Sequence, residues 1–120
     1  MKRFIWLFII GLSSSQFLFA EAHLMRFADV SEKHIVFTYE DDLWLVPIEG
    51  GMAKRITKSD GVEVYAKFSP DGKRLAFTGS YDGGTDVYVM AVNGGEPKRL
   101  TYHPATDRVL DWFSDGKHIM

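Results

Sequence analysis

The sequence predicts an all-β protein built of β-propeller blades, each a four-stranded antiparallel sheet, and three observations carry that reading. A turn written Phe68-Ser69-Pro70-Asp71-Gly72-Lys73 returns as Trp112-Phe113-Ser114-Asp115-Gly116-Lys117, with Asp and Gly displaced by 44 positions. Two further pairs keep the same offset: Gly50-Gly51 with Gly94-Gly95, and Ile56-Thr57 with Leu100-Thr101. The runs Leu43-Trp44-Leu45-Val46 and Val87-Tyr88-Val89-Met90 are apolar on both faces, as strands packed between two neighbouring sheets must be. A unit of this length with four short strands and Gly-rich turns is the signature of a blade.

The turn at Ser69 to Gly72 is the best-defined element. Pro70 pre-sets φ for the first central position, Asp71 can bond the local backbone, and Gly72 supplies the positive-φ residue that reverses the chain. Around it the chain reads as one repeat written twice and begun a third time. Blade 1 is expected at about 24–57: Leu24 to Phe27, a polar turn from Asp29 to Lys33, His34 to Tyr39, Asp42 to Ile48, and Ala53 to Thr57. Blade 2 is expected at about 64–101: Val64 to Phe68, Lys73 to Thr78, Asp86 to Val92, and Pro97 to Thr101. Its middle connection, Gly79 to Thr85, reads as a longer loop, and blade 3 begins near 108. No stretch after residue 22 sustains apolar residues at i, i+3, i+4, which excludes a helical repeat. A β-sandwich would not explain copies of the same turns at one offset.

A blade cannot bury its faces alone, and propellers close with typically 4–8 of them. The 120 residues hold two blades and the opening of a third. The expectation is therefore a longer protein whose remaining blades, and any catalytic machinery, lie beyond Met120.

Ahead of the repeats, residues 1–22 have the order of a cleavable export signal: Lys2 and Arg3, the apolar run Phe4 to Leu12, a polar stretch Ser13 to Gln16, and Ala20-Glu21-Ala22. Cleavage is expected after Ala22 or Ala20, placing residues 23–120 outside the cytoplasm of a bacterium, in the periplasm. Membrane contact is expected only through that signal, since nine apolar residues are short for a span. The net charge of −2 gives no electrostatic case for nucleic acid. The absence of cysteine removes disulfides, thiol catalysis and Cys-based zinc sites.

No catalytic arrangement is evident in these residues. Ser80, in Gly79-Ser80-Tyr81-Asp82-Gly83, lacks the spacing of a nucleophile elbow and reads as a loop serine. His23, His34, His103 and His118 show no metal-binding spacing. Asp82 and Asp86 are too few carboxylates for calcium, and no cofactor is implied. Asp41-Asp42 reads as a surface turn pair. Trp44, Tyr65, Tyr88 and Trp112 read as fillers of the gaps between sheets rather than as ligand platforms.

The runs Asp42 to Pro47, Phe68 to Lys73, Thr85 to Met90 and Gly94 to Pro104 resemble the start of the tricorn protease family, over essentially all of residues 24–120. The Ser-Pro-Asp-Gly-Lys and Gly-Gly repeats are shared with TolB-like periplasmic propellers and prolyl-oligopeptidase-type enzymes. Thr85 through Trp112 is more specific. The resemblance implies a large serine peptidase with a six-bladed and then a seven-bladed propeller, a PDZ domain and a core related to the tail-specific proteases. It also implies assembly into oligomers and trimming of peptide substrates, with this portion guiding or gating them. The alternatives are a TolB-like scaffold binding protein partners, or the propeller cap of a prolyl-oligopeptidase-type hydrolase. In the tricorn family two adjacent arginines between blades two and three clamp a substrate's C-terminal carboxylate. The resemblance places Arg108 in that loop, but its neighbours are Asp107 and Val109, so the pair is not kept. The rival role for Arg108 is an ion pair with Asp107.

Overall fold

The computed structural model describes residues 24–120; the expected export signal lies outside the described residues. Eight strands form two four-stranded antiparallel sheets. Blade 1 is β1 (Arg26–Val30), β2 (His34–Tyr39), β3 (Asp42–Pro47) and β4 (Lys54–Arg55), and blade 2 is β5 (Val62–Phe68), β6 (Arg74–Tyr81), β7 (Gly84–Ala91) and β8 (Lys98–Arg99). In each sheet the strands lie in chain order. A third hairpin opens with Trp112 bridged to Ile119.

The turn before β6 forms as its residues require. The Gly72 amide donates to the Ser69 carbonyl at 2.8 Å and Gly72 has φ 71°. The Ser69 hydroxyl donates to Asp71 at 2.6 Å, and Asp71 accepts the Lys73 amide at 3.0 Å. These bonds hold the Asp71 carboxyl below the ordinary carboxylate value, the Ser69 hydroxyl being the largest cause. Asp115 is lowered in the same way, first by the Lys117 amide and then by His118.

The connection from Gly79 to Thr85 departs from expectation. It is not a loop: β6 and β7 run eight residues each and pair from Arg74↔Ala91 to Tyr81↔Gly84. Only Asp82 and Gly83 turn, both at positive φ, as a two-residue hairpin compatible with sheet twist demands. Ser80 therefore sits in a strand, within hydrogen-bond distance of the Thr85 hydroxyl at 3.0 Å. Gly79, read as a loop residue, serves packing. A Cβ on Gly79 would meet the Tyr81 ring at 2.7 Å and Tyr88 at 3.0 Å.

Blade 2 is covered on both faces. Towards blade 1, Phe68, Leu75, Phe77, Tyr88 and Met90 pack with Val36 and Leu43. On its other face Ala76 and Val87 pack with Val109 and Trp112 of the third hairpin. The backbones of the two sheets approach most closely at β5, which runs beside β1, β2 and β3. That arrangement is the geometry of blades around an axis, with β1 and β5 innermost.

The same ion-pair clamp ties the outer strands of each blade. In blade 1 Arg55 meets Asp42 at 2.6 Å and donates from Nε to the Thr57 carbonyl, while the Leu43 amide donates to the Thr57 hydroxyl. In blade 2 Arg99, Asp86, Thr101 and Val87 repeat every contact, with the ion pair at 2.7 Å. Asp42 is thus not a surface turn residue. Glu40 and Asp41 make the turn, at φ 47° and 65°, and Asp42 is buried beneath Arg55. Two-residue strands capped by such pairs keep the outer edges short, which limits edge-to-edge association.

Candidate functional site: an arginine–aromatic stack at the inner edge

Between the blades, Glu63 is fully buried and ties β5 to blade 1. Its amide donates to the Asp41 carbonyl at 2.8 Å and its carbonyl accepts the Thr38 hydroxyl at 3.0 Å. Its carboxylate accepts from Thr57 at 2.6 Å, from Tyr81 at 2.6 Å and from Ser59. Burial, and then the bond to Glu63, pushes the Tyr81 hydroxyl well above the ordinary tyrosine value. Three hydroxyl donors replace a cationic partner here, leaving a satisfied structural group.

The inner strands carry an unusual backbone feature. The β1–β2 register shifts between Arg26 and Asp29, and the β5–β6 register shifts between Val64 and Lys67. At each bulge one bulky aromatic takes positive φ: Phe27 at 55° and Tyr65 at 57°. Glycine usually fills that bulge position, so an aromatic there is strained and is held by what the ring touches. The two rings touch each other, with centroids 4.4 Å apart and planes tilted by 51°.

An arginine flanks each ring. The Arg26 guanidinium carbon lies 5.4 Å from the Phe27 centroid, and that of Arg108 lies 4.8 Å from the Tyr65 centroid. The order is Arg26, Phe27, Tyr65, Arg108, with residues contributed by both blades and by the segment entering the third hairpin. Arg26 also reaches Asp41 at 3.9 Å, a long and exposed ion pair. Arg108 is exposed and has no hydrogen bond or ion pair among the described residues.

The expected ion pair with Asp107 is not formed. Asp107 instead donates its amide to the Thr85 carbonyl at 3.0 Å, the counterpart of the Glu63–Asp41 bond, while the Arg108 guanidinium lies on Tyr65. The face of the guanidinium is used by the ring and its N–H edge remains available. No second arginine neighbours Arg108 in sequence, yet Arg26 reaches the same stack from β1. Among the other candidates, Tyr88 and Trp112 are buried as gap fillers, and the Trp112 indole donates to the Lys67 carbonyl at 2.9 Å. Trp44 is half-buried against Tyr39. His103 accepts the Ala105 amide within its loop. Among the described residues no three His, Cys, Asp or Glu side chains are placed to hold a metal ion. A cleft of about 580 Å³ lies at the turns before β2 and β6, lined by Asp29, Ser31, Lys33, Phe68, Pro70 and Asp111 among others. It mixes both charge signs and does not include Arg108.

The fold defines this chain as consecutive blades of a β-propeller. Residues 22–120 match the model of the tricorn protease N-terminal β-propeller domain, and the chain belongs to that family. It is 40% identical over 95 residues to tricorn protease homolog 1 of Streptomyces coelicolor, covering 78% of this chain and 9% of that protein. It is 35% identical over 112 residues to a putative tricorn-like protease N-terminal subunit of Sulfurisphaera tokodaii, covering 89% of this chain and 56% of that one. Among solved structures, the tricorn protease matches with TM-score 0.66 and 31% identity over 78% of this chain and 10% of its own. The putative TolB from Agrobacterium tumefaciens matches with TM-score 0.59 and 29% identity over 72% of this chain and 32% of its own. The chain thus spans a small part of most of these proteins and about half of one.

Proposed function

We propose that this chain is the N-terminal propeller portion of an exported tricorn-like serine peptidase, and that its inner edge admits and orients peptide substrates for a catalytic core carried elsewhere in the protein. One observation carries the reading. Arg108 stands at the inner edge where blade 2 meets the third hairpin, stacked on Tyr65, with its N–H edge free of any described acceptor. A guanidinium so held offers two parallel donors to a carboxylate, and a peptide's C-terminus is such a group. Its stacking fixes the fork before a ligand arrives, which reduces the ordering cost of binding.

The test is a double comparison in the full-length enzyme. Arg108→Ala and wild type are assayed on one peptide with a free and with an amidated C-terminus. The expected result is a loss of ten- to a hundredfold in kcat/KM on the free peptide, from roughly 1.5–3 kcal/mol for a charge-assisted bond. The amidated peptide should be handled equally by both. Equal losses on the two peptides would remove the clamp.

The likeness to TolB favours a second reading, a non-enzymatic scaffold binding protein partners. It is distinguished by a full-length protein that folds and binds but hydrolyses no peptide.

A further inference from the structure

We propose that Asn93 is a self-modification site: in the folded protein it closes onto the Gly94 amide, loses ammonia and leaves an aspartyl or isoaspartyl link in the outer turn of blade 2. Asn93 is the only asparagine in the sequence and stands before two glycines, Gly94 and Gly95. The step is intramolecular and consumes only water. The Gly94 nitrogen gives up its proton to hydroxide and bonds to the Asn93 side-chain carbonyl carbon. The bond from that carbon to the side-chain nitrogen breaks, and the nitrogen leaves as ammonia, taking a proton from water. Water then opens the cyclic imide at either carbonyl. One opening gives aspartate. The other gives isoaspartate, in which the side-chain methylene has entered the main chain.

The turn is open to this chemistry. Asn93 is exposed and lies outside both apolar clusters, and its side chain makes no hydrogen bond among the described residues. Gly94 and Gly95 have φ of 106° and 123°, and no atom lies within 4 Å of where a Cβ on either would stand, so the imide ring has room. Residues 94–97 belong to no strand, and one backbone bond closes the turn, from the Gly94 amide to the Ala91 carbonyl at 3.1 Å. That bond must open to free the attacking nitrogen, and exposed turns open at low cost. Blade 1 has Glu49 before Gly50 and Gly51, with the matching bond from Gly50 to Pro47 at 2.9 Å. Glutamate has no ammonia to lose, and its presence shows that this turn accepts a carboxylate. The Asp-Gly turns at Asp71 and Asp115 are guarded, because their carboxylates accept the Lys73 and Lys117 amides at 3.0 and 2.8 Å. A charged carboxylate also repels an amide anion and offers no good leaving group. The modification therefore falls on blade 2 alone. There β8 is held to β7 by two register pairs, Tyr88↔Arg99 and Val89↔Lys98. An isoaspartyl link adds a main-chain atom to the turn before β8, which loosens that strand and leaves β4 as it was.

The experiment keeps the full-length protein at mildly alkaline pH in heavy-oxygen water and maps it by mass spectrometry over time, beside a synthetic peptide of residues 90–99. The segment holding Asn93 should exchange its amide nitrogen for a heavy oxygen, at a rate that rises in proportion to hydroxide. In the native protein that rate should lie within about tenfold of the free peptide's, which corresponds to about 1.4 kcal/mol for opening the turn. Asn93→Glu, which copies the blade 1 turn, should take up no label in that segment. Isoaspartate is read by methyl transfer with a protein isoaspartyl methyltransferase. Exchange of the Leu100 amide, which donates to the Val87 carbonyl, should be about three- to tenfold faster in isoaspartyl protein than in aged Asn93→Glu. The matching Ile56 amide of blade 1, which donates to Leu43, serves as the internal reference and should not change. A native rate more than about tenfold below the peptide's would mean that the folded turn guards Asn93, and would overturn the proposal. Isoaspartyl protein in which Leu100 exchanges no faster would overturn the loosening of β8.

Discussion

Replacing Tyr81 by Phe in the full-length protein should open the interface between blades 1 and 2 without touching its apolar packing. The hydroxyl donates to the Glu63 carboxylate at 2.6 Å, and Glu63 is wholly buried. Hydrogen bonds to a charged group contribute about 1.5–3 kcal/mol. Each tenfold change in an opening equilibrium corresponds to about 1.4 kcal/mol. Amides of β5 should therefore exchange with solvent about ten- to a hundredfold faster in Tyr81→Phe, read by hydrogen exchange with mass spectrometry. Glu63→Gln should act on the same segment, since Thr57, Ser59 and Tyr81 then face a neutral group with one acceptor oxygen. The two substitutions share one bond, so the double variant should fall short of their sum by about 0.5–3 kcal/mol. The Trp112–Ile119 hairpin, which lies beyond the far face of blade 2, serves as the internal reference. Additive effects, or faster exchange spread equally to that hairpin, would refute the latch.

Other consequences follow from the same contacts. Tyr81 has its proton held more tightly in the folded state, so its contribution is complete below the ordinary value of 10.0 and is lost as pH rises above it; the alkaline fall in stability should be shallower in Tyr81→Phe, with Tyr88, also raised by burial, supplying the remainder. Gly61→Ala should cost about 1–3 kcal/mol in chemical unfolding, because its Cβ would overlap the Ser80 carbonyl and the Tyr81 ring. Arg99→Met should cost about 3–5 kcal/mol by stranding the buried Asp86 carboxylate, and Asp86→Asn less, since Arg99 can rehydrate and Thr101 keeps a partner. Residues 24–120 alone should give no sharp cooperative melt, because blade 1 leaves Leu24, Met25 and Val30 exposed with no neighbouring sheet; a soluble monomer with a two-state transition would contradict this.

The architecture was legible because its signals are local and repeated. Ser69 to Gly72 specify a turn by their own chemistry, and the 44-residue offset then multiplies one turn into blades. Where a residue's role is set by a distant partner, local reading misled. Gly79, Gly83 and Gly84 read as a loop, but Gly79 is a strand residue that gives Tyr81 room to reach Glu63. Asp42 read as a surface turn because its neighbour Asp41 is one; its burial depends on Arg55, thirteen residues on. That clamp had a usable signal, since Asp42, Arg55 and Thr57 all recur at Asp86, Arg99 and Thr101. Arg108 was singled out through family likeness, but its contact with Tyr65 was not, because a stack across two blades leaves no spacing in the chain. The strained φ at Phe27 and Tyr65 was equally unreadable, for nothing in an aromatic's chemistry favours that conformation.

The central claim, that these blades belong to an exported peptidase and serve its substrates, is tested most directly on the full-length protein. The purified protein is incubated with a mixture of short peptides, with and without a fluorophosphonate that labels activated serines. The account predicts trimming of peptides with free C-termini, one labelled serine outside residues 24–120, and loss of both on pretreatment with the reagent. A folded full-length protein that neither trims peptides nor takes the label would contradict it and leave the scaffold reading in its place.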